Sequence, residues 1–194
     1  MKAIQFFALA VFSAAFLSFT PLHKKLIIID AGHGGNDMGA RRDALTEKEI
    51  TLHIAKEIQK YNEGQDAFEI VLTRDSDKDL SLPERVAKIN ELQPEMVVSL
   101  HINSSPKPET PNTGPEIYIQ NSEGSKKLAQ KISEKFNVRS IQEKNLHILR
   151  ESKVPAVLVE LGFINNTNDR EYMVSEKGQK EIAQKFAEVF NTYK

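Results

Sequence analysis

Two histidines and two glutamates, His33, Glu47, His101 and Glu160, stand far apart in the chain, yet each falls where a strand or helix end would project it into a common cleft. Imidazole nitrogens and carboxylate oxygens are the donors that hold zinc in open catalytic sites, so the four together suggest a zinc hydrolase. His33 follows the apolar run Ile27-Ile28-Ile29 in the segment Asp30-Ala31-Gly32-His33-Gly34-Gly35, whose glycines let the backbone turn sharply beneath the imidazole. His101 closes Met96-Val97-Val98-Ser99-Leu100, Glu160 closes Ala156-Val157-Leu158-Val159, and Glu47 opens an amphipathic helix. The chain contains no cysteine, which excludes disulfides, thiolate metal sites, cysteine nucleophiles and lipidation through an N-terminal thiol.

Taken singly, each of the four has a plainer reading. A histidine after a glycine turn is commonly structural or solvated, and a glutamate in the first turn of a helix is favoured by the helix dipole alone. Glu160 is harder to set aside, because a carboxylate that ends an apolar run is costly to bury without a partner, and buried charge of that kind marks sites.

The elements that must position these residues can be read from composition and periodicity. The 194 residues, 40% of them hydrophobic, suffice for one compact domain with a full core. With 26 basic and 27 acidic residues there is no whole-chain field to favour nucleic acid or anionic lipid. Residues 1–23 read as an export signal or N-terminal anchor rather than as part of the fold. Lys2 supplies a positive start, and Ile4 to Phe19 is apolar but shorter than the roughly 20 residues of a typical spanning helix. Ser18-Phe19-Thr20 is not a clean small-x-small cleavage site, so an uncleaved anchor stays open.

After the basic hinge His23-Lys24-Lys25, strand-like and helix-like segments alternate in the manner of an α/β fold. Strands are predicted at about Leu26 to Asp30, Phe68 to Thr73, Met96 to Leu100, Glu116 to Ile119, Leu146 to Leu149 and Ala156 to Glu160. One helix is predicted from Glu47, with Ile50, Ile54 and Ile58 at a spacing of four, and another from Ser81-Leu82-Pro83-Glu84 to about Glu91. Two more cover Lys126 to Val138 and Lys180 to Tyr193. Thr46 with Glu49, and Ser81 with Glu84, each read as a capping box. The stretch Ser104 to Gly114, with three prolines, is expected to be the mobile rim of a site. The expected whole is a single α/β domain with a mostly parallel central sheet of about six strands, flanked by helices on both faces.

The segments Asp30-Ala31-Gly32-His33-Gly34-Gly35-Asn36-Asp37-Met38-Gly39-Ala40, Glu47-Lys48, Leu72-Thr73-Arg74-Asp75, Ser99-Leu100-His101-Ile102-Asn103 and Val159-Glu160-Leu161-Gly162-Phe163-Ile164-Asn165-Asn166 occur in that order. Together they resemble the signature of the zinc-dependent N-acetylmuramoyl-L-alanine amidases, from about Lys25 to the C-terminus. The resemblance implies that residues 24–194 form a zinc amidase catalytic domain, that His33, Glu47 and His101 bind one Zn2+ per chain, and that one coordination position stays open. Glu160 would act as general base and then as general acid toward the leaving amine. The implied reaction is hydrolysis of the amide between N-acetylmuramic acid and L-alanine in peptidoglycan. That places an exported, monomeric protein in the periplasm or cell envelope, acting on glycan strands with stem peptides. It would contact no nucleic acid, and a membrane only through an uncleaved N-terminal segment.

Two other readings stay open: a non-catalytic or partner-activated amidase-like domain that binds peptidoglycan, and a zinc peptidase acting on stem peptides. Between His101 and Glu160 only one helix is predicted, leaving no room for the blocking helix that some cell-division members carry, so the cleft is expected to be uninhibited. Asp30 and Asn103 stand beside the two histidines and are expected either to orient them or to serve turn chemistry. Arg74 is expected to meet a substrate carboxylate or, by preference, to pair with Asp75 or Asp77. His53 reads as surface, His147 as a half-buried strand residue and His23 as part of the hinge. Ala31 stands where many relatives have proline, and Arg41-Arg42-Asp43 replaces a more glycine-rich stretch with charges that could touch glycan or stem peptide.

Overall fold

A computed structural model of the chain describes residues 24–64 and 67–193, so the segment read as an export signal or anchor lies outside the described residues. β1 (Lys25–Ala31) leads through the glycine-rich loop and a short hairpin, β2 (Arg41–Arg42) and β3 (Leu45–Thr46), into α1 (Glu47–Tyr61). β4 (Phe68–Leu72), α2 (Leu82–Leu92), β5 (Met96–Asn103), β6 (Glu116–Ile119) and α3 (Glu123–Ser133) follow. The chain continues with β7 (Ser140–Glu143), α4 (His147–Glu151), β8 (Ala156–Phe163), α5 (Thr167–Val174) and α6 (Glu176–Thr192). The six-stranded sheet has the order β4-β1-β5-β8-β6-β7. β4, β1, β5 and β8 run parallel, while β6 is antiparallel to β8 and parallel to β7. The expected single α/β domain with a mostly parallel sheet is therefore present. Among the described residues, no helix is long and apolar enough to cross a membrane.

Side-chain alternation along the central strands divides the core into two layers. Ile27, Ile29, Val98, Leu100, Val157 and Val159 pack with Ile50, Ile54 and Ile58 of α1, Leu128 and Ile132 of α3, and Phe186 of α6. Ile28, Val97, Ala156 and Leu158 face the other side, under Val86 and Ile89 of α2 and Ile148 and Leu149 of α4. Both faces are covered, which is why these strands read as unbroken apolar runs. Each fully buried aliphatic side chain of this kind contributes ~1.5–3 kcal/mol relative to exposure.

Several local expectations are revised. Leu146 to Leu149 is not a strand: α4 begins at His147, and Ile148 and Leu149 are both buried in the same cluster, which strand alternation would forbid. The strand of this region is β7, whose Ile141, Gln142 and Glu143 are exposed at the sheet edge and so carry no apolar signal. α5 buries only Met173 and has no periodic stripe to announce it. Thr46 caps α1 without a side-chain bond to the backbone, its hydroxyl donating instead to Glu49 Oε2 at 2.6 Å, whereas the Ser81/Glu84 box is complete.

At the carboxyl ends of the parallel strands, on the α2 side, the apolar layer gives way to buried charge. Asp30 accepts from Thr73 Oγ1 at 2.6 Å, Ser99 Oγ at 2.7 Å and Arg85 Nη1 at 2.7 Å. Burial alone would raise the Asp30 carboxyl, but the Arg85 charge and these hydrogen bonds hold it below its usual value. Arg85 also donates to the carbonyls of Ala31 and His33. Arg74, 1% exposed, donates to the carbonyls of Ala31 at 2.9 Å, Gly32 at 2.8 Å and Lys48 at 2.8 Å. Its guanidinium thus holds backbone, rather than Asp75, Asp77 or an open substrate surface. Replacing Arg85 with alanine would leave Asp30 buried without its cation, and urea unfolding at pH 7 is expected to show a loss of about 3–5 kcal/mol. Because the folded-state value of Asp30 is depressed, its contribution is present above the unfolded value and lost as pH falls through the folded one. The deficit of the variant should therefore narrow below about pH 4.

Candidate active site

His33 in the loop after β1, Glu47 at the first position of α1 and His101 of β5 converge so that one ligand atom from each lies within 4.8 Å of the others. Glu47 is the centre of the cluster. Its Oε1 lies 3.0 Å from His33 Nε2 and 3.0 Å from His101 Nδ1. The same oxygen accepts the Ile102 N–H at 2.9 Å, and Oε2 accepts the Ala40 N–H at 2.8 Å. Burial alone would raise this carboxyl, but the two imidazoles hold it well below the usual range, so it is anionic. Burial would likewise lower His33, yet its hydrogen bond to Glu47 and the charges of Glu47 and Asp37 raise it to about 9.

Placing His33 there requires unusual backbone. Its φ is 60°, a left-handed conformation that side chains with a Cβ rarely adopt. The bond from Arg85 to its carbonyl and that from Arg74 to the preceding one fix this turn. Gly32 passes so close to β5 that a Cβ would lie 2.6 Å from His101 Cε1 and 2.7 Å from Leu100 O. Gly39, at φ 64°, would bring a Cβ to 2.5 Å from Glu47 Oε2. These two glycines are therefore the space that His101 and Glu47 occupy.

Strand register supplies the remaining carboxylate. His101 is paired with Glu160 across β5 and β8, and Glu160 with Glu116 across β8 and β6, forming one row on the α2 face. Oε2 of Glu160 is buried with no hydrogen-bond partner among the described residues. Burial pushes Glu160 up to about 7; His101 opposes the rise, while Glu47 and Glu116 add to it. A cavity of about 480 Å³ opens beside both histidines, walled by the first turns of α2 and α4 and by Leu158.

The structure thus gathers His33, Glu47, His101 and Glu160 at the carboxyl ends of the central parallel strands. Asp30 and Asn103 take other partners than the histidines: Asp30 sits in the Arg85 network, and Asn103 donates to Glu116 Oε2 at 3.0 Å. The residue that holds one of the two histidines from behind is Asp37, whose Oδ2 lies 2.8 Å from His33 Nδ1. Sequence reasoning misses it, although its place four residues on in the same glycine loop is a signal. Arg85 and Glu116 carry no such signal, since both look like ordinary charged positions of a helix and a strand. His53 is exposed and His147 half-buried. Two imidazoles and a buried anionic carboxylate, with His33 Nδ1 already engaged by Asp37, form a donor set that fits zinc.

Residues 27–191 match the family described as N-acetylmuramoyl-L-alanine amidase, and the chain belongs to that family. It is 34% identical over 182 residues to the uncharacterized protein YqiI of Bacillus subtilis (strain 168), covering 89% of this chain and 86% of YqiI. It is 35% identical over 167 residues to the N-acetylmuramoyl-L-alanine amidase CwlM of Bacillus licheniformis, covering 81% of this chain but 64% of CwlM. Among solved structures, the catalytic domain of CwlV, an N-acetylmuramoyl-L-alanine amidase from Bacillus (Paenibacillus) polymyxa var. colistinus, is similar with a TM-score of 0.81 and 32% identity. That match covers 87% of this chain and 97% of the CwlV domain.

The raised His33 has a measurable consequence. In the metal-free protein its contribution to stability is present below the unfolded value near 6.5 and lost as pH rises through about 9. A metal ion needs the neutral ring, so zinc binding at pH 7 is expected to release about one proton from His33. Titration calorimetry in two buffers of different ionisation heat reads that number directly, and zero proton release would contradict a protonated His33 in the metal-free site.

Proposed function

We propose that the chain hydrolyses the amide between N-acetylmuramic acid and L-alanine in peptidoglycan, with His33, Glu47 and His101 holding one zinc ion and Glu160 handling the protons. The observation that carries this reading is the meeting of the His/Glu/His cluster with an unpartnered, buried oxygen of Glu160 in register with His101. When bound, zinc supplies Lewis-acid polarisation of the amide carbonyl and makes water acidic enough to lose a proton near neutral pH. The chain's own groups do the rest. Asp37 at His33 Nδ1 leaves Nε2 directed at the Glu47 side, and the backbone donors of Ala40 and Ile102 hold the Glu47 carboxylate in place. Glu160, resting at about 7, can take a proton from the attacking water and pass one to the departing nitrogen. An amide nitrogen leaves poorly unless it is protonated, so a carboxylate beside the metal cluster is what the reaction requires.

The family's wall substrate supports an extracellular or envelope location. We further propose residues 24–194 as the catalytic domain, residues 1–23 as an export signal or N-terminal anchor, and a monomer as the working form. His33 and His101 keep about a fifth of their side-chain surface open, at 22% and 20%, which supports an uninhibited cleft. α4 is a second helix between His101 and Glu160, but it enters the cavity wall through His147 and Ile148 and leaves both imidazoles accessible.

Mass spectrometry of purified peptidoglycan digested by the chain tests the whole reading. Free stem peptides beginning at L-alanine are expected with zinc and absent with a chelator. Glu160→Gln should retain zinc while release falls by about 10²–10⁴-fold, the usual weight of general acid-base catalysis. Cuts inside the peptide would identify a peptidase instead, and zinc binding without any release would identify a binding or partner-activated domain.

A further inference from the structure

We infer that Arg139 is a specificity-determining residue that reads a carboxylate on the stem peptide, two to three residues beyond the amide that is cut. The inference rests on the amidase reading, in which the direction of the substrate follows from Glu160. The carbonyl must lie over the His/Glu/His cluster, and the leaving nitrogen must lie within reach of Glu160, the proton donor. From His101 the sheet continues through Glu160 on β8 and Glu116 on β6 to Ser140 on β7, each paired in register with the last. The glycan is thereby placed toward β1 and the peptide toward β6 and β7.

Arg139 immediately precedes β7, and its N–H donates to Pro115 O at 2.8 Å, so it stands at the far end of this row. Neighbouring strands lie ~4.8 Å apart, which puts Arg139 about 10 Å past Glu160, while an extended peptide advances ~3.4 Å per residue. The match is to the second or third residue after the cut.

The Arg139 side chain is held but not saturated. Its guanidinium lies over the Phe163 ring at 5.2 Å from the centroid. Nη1 is 3.4 Å from Glu116 Oε1, and Nη2 donates to Asn112 Oδ1 at 3.4 Å. Charge-assisted hydrogen bonds usually measure ~2.7–2.9 Å, so both contacts are loose. Glu116 is engaged more closely through its other oxygen, by Asn103 Nδ2 at 3.0 Å and Tyr118 OH at 3.1 Å. The Arg139 side chain also keeps 36% of its surface open. An incoming carboxylate can take the guanidinium fork in bidentate fashion without breaking a short ion pair. Two sources of that carboxylate fit the spacing: an acidic residue following alanine, or the C-terminus of a short stem peptide.

The test uses the full chain and muramyl peptides whose alanine is followed by an acidic residue, compared with analogues amidated either at that residue or at the C-terminus. The wild type is expected to lose about tenfold in kcat/KM on one of the two analogues, mainly through KM, and that analogue identifies the source. Arg139→Met keeps an apolar stem over Phe163. It should lose about tenfold on the free carboxylate, lose nothing on the discriminating analogue, and bind the released stem peptide about tenfold more weakly in calorimetry. Equal losses on all substrates, or none on any, would overturn the inference. Should the variant fail to fold, salt decides with the wild type alone: a guanidinium preference must shrink between 0.1 M and 1 M salt, and a salt-independent preference overturns it. Wild-type cleavage without discrimination, or cleavage of purified peptidoglycan but of no muramyl peptide, defeats only the role of Arg139, whereas no stem peptide released from either substrate defeats the amidase reading and this inference with it.

Discussion

The site hangs from the carbonyl oxygens at the end of β1, and two buried guanidinium groups hold them. Past Ala31 the chain leaves the sheet, so the carbonyls of Ala31, Gly32 and His33 have no neighbouring strand to satisfy them, and burying them unpaired would be costly. Arg74 and Arg85 gather all three. Asp30 pairs with Arg85 and so balances part of this charge. The loop after β4 completes the hold: Asp77 accepts the Gly35 N–H at 2.8 Å and Asp79 accepts the Asn36 N–H at 2.8 Å. Lys48 joins the two loops through Gly35 O and Asp77.

On that base, Glu47 can act as a buried anion in advance of any ligand. A dry carboxylate needs donors, and it has four: two imidazoles and two backbone N–H groups. The backbone donors come from opposite sides, Ala40 before the hairpin and Ile102 in β5, so the carboxylate ties α1 to both. Donors positioned in advance in this way are what a metal or a transition state would require.

The antiparallel strand β6 adds to the charge gathered beside Glu160. The parallel strands bring His101 and Glu160 side by side at their carboxyl ends, the usual place for sites in open α/β sheets. β6 runs the other way, so its first residue, Glu116, meets the same edge and adds a second carboxylate beside Glu160. Burial first, and then the charges of Glu47 and of this neighbour, raise Glu160 to about 7.

The fold class, the order of the central elements and the four residues of the cluster were legible because each rests on local pattern. Runs such as Ile27-Ile28-Ile29 and Val157-Leu158-Val159 mark strands buried on both faces, and Ile50, Ile54 and Ile58 mark one helix face. β7, α4 and α5 were illegible or misread because an exposed edge strand, a helix of five residues and a helix burying one side chain leave little periodicity. Arg74 was legible as a site neighbour but not in its role, since only the packed loop shows that its partners are carbonyls. Asp37, Arg85 and Glu116 depend on contacts reaching from four to more than fifty positions along the chain, and charge at an amphipathic surface looks the same whether it ends in water or in a core. Read alone, then, the chain singles out His33, Glu47, His101 and Glu160 as groups that strand and helix ends would bring together. Long-range packing alone settles which charges are buried beside them, because burial is a property of the assembled fold and not of any segment.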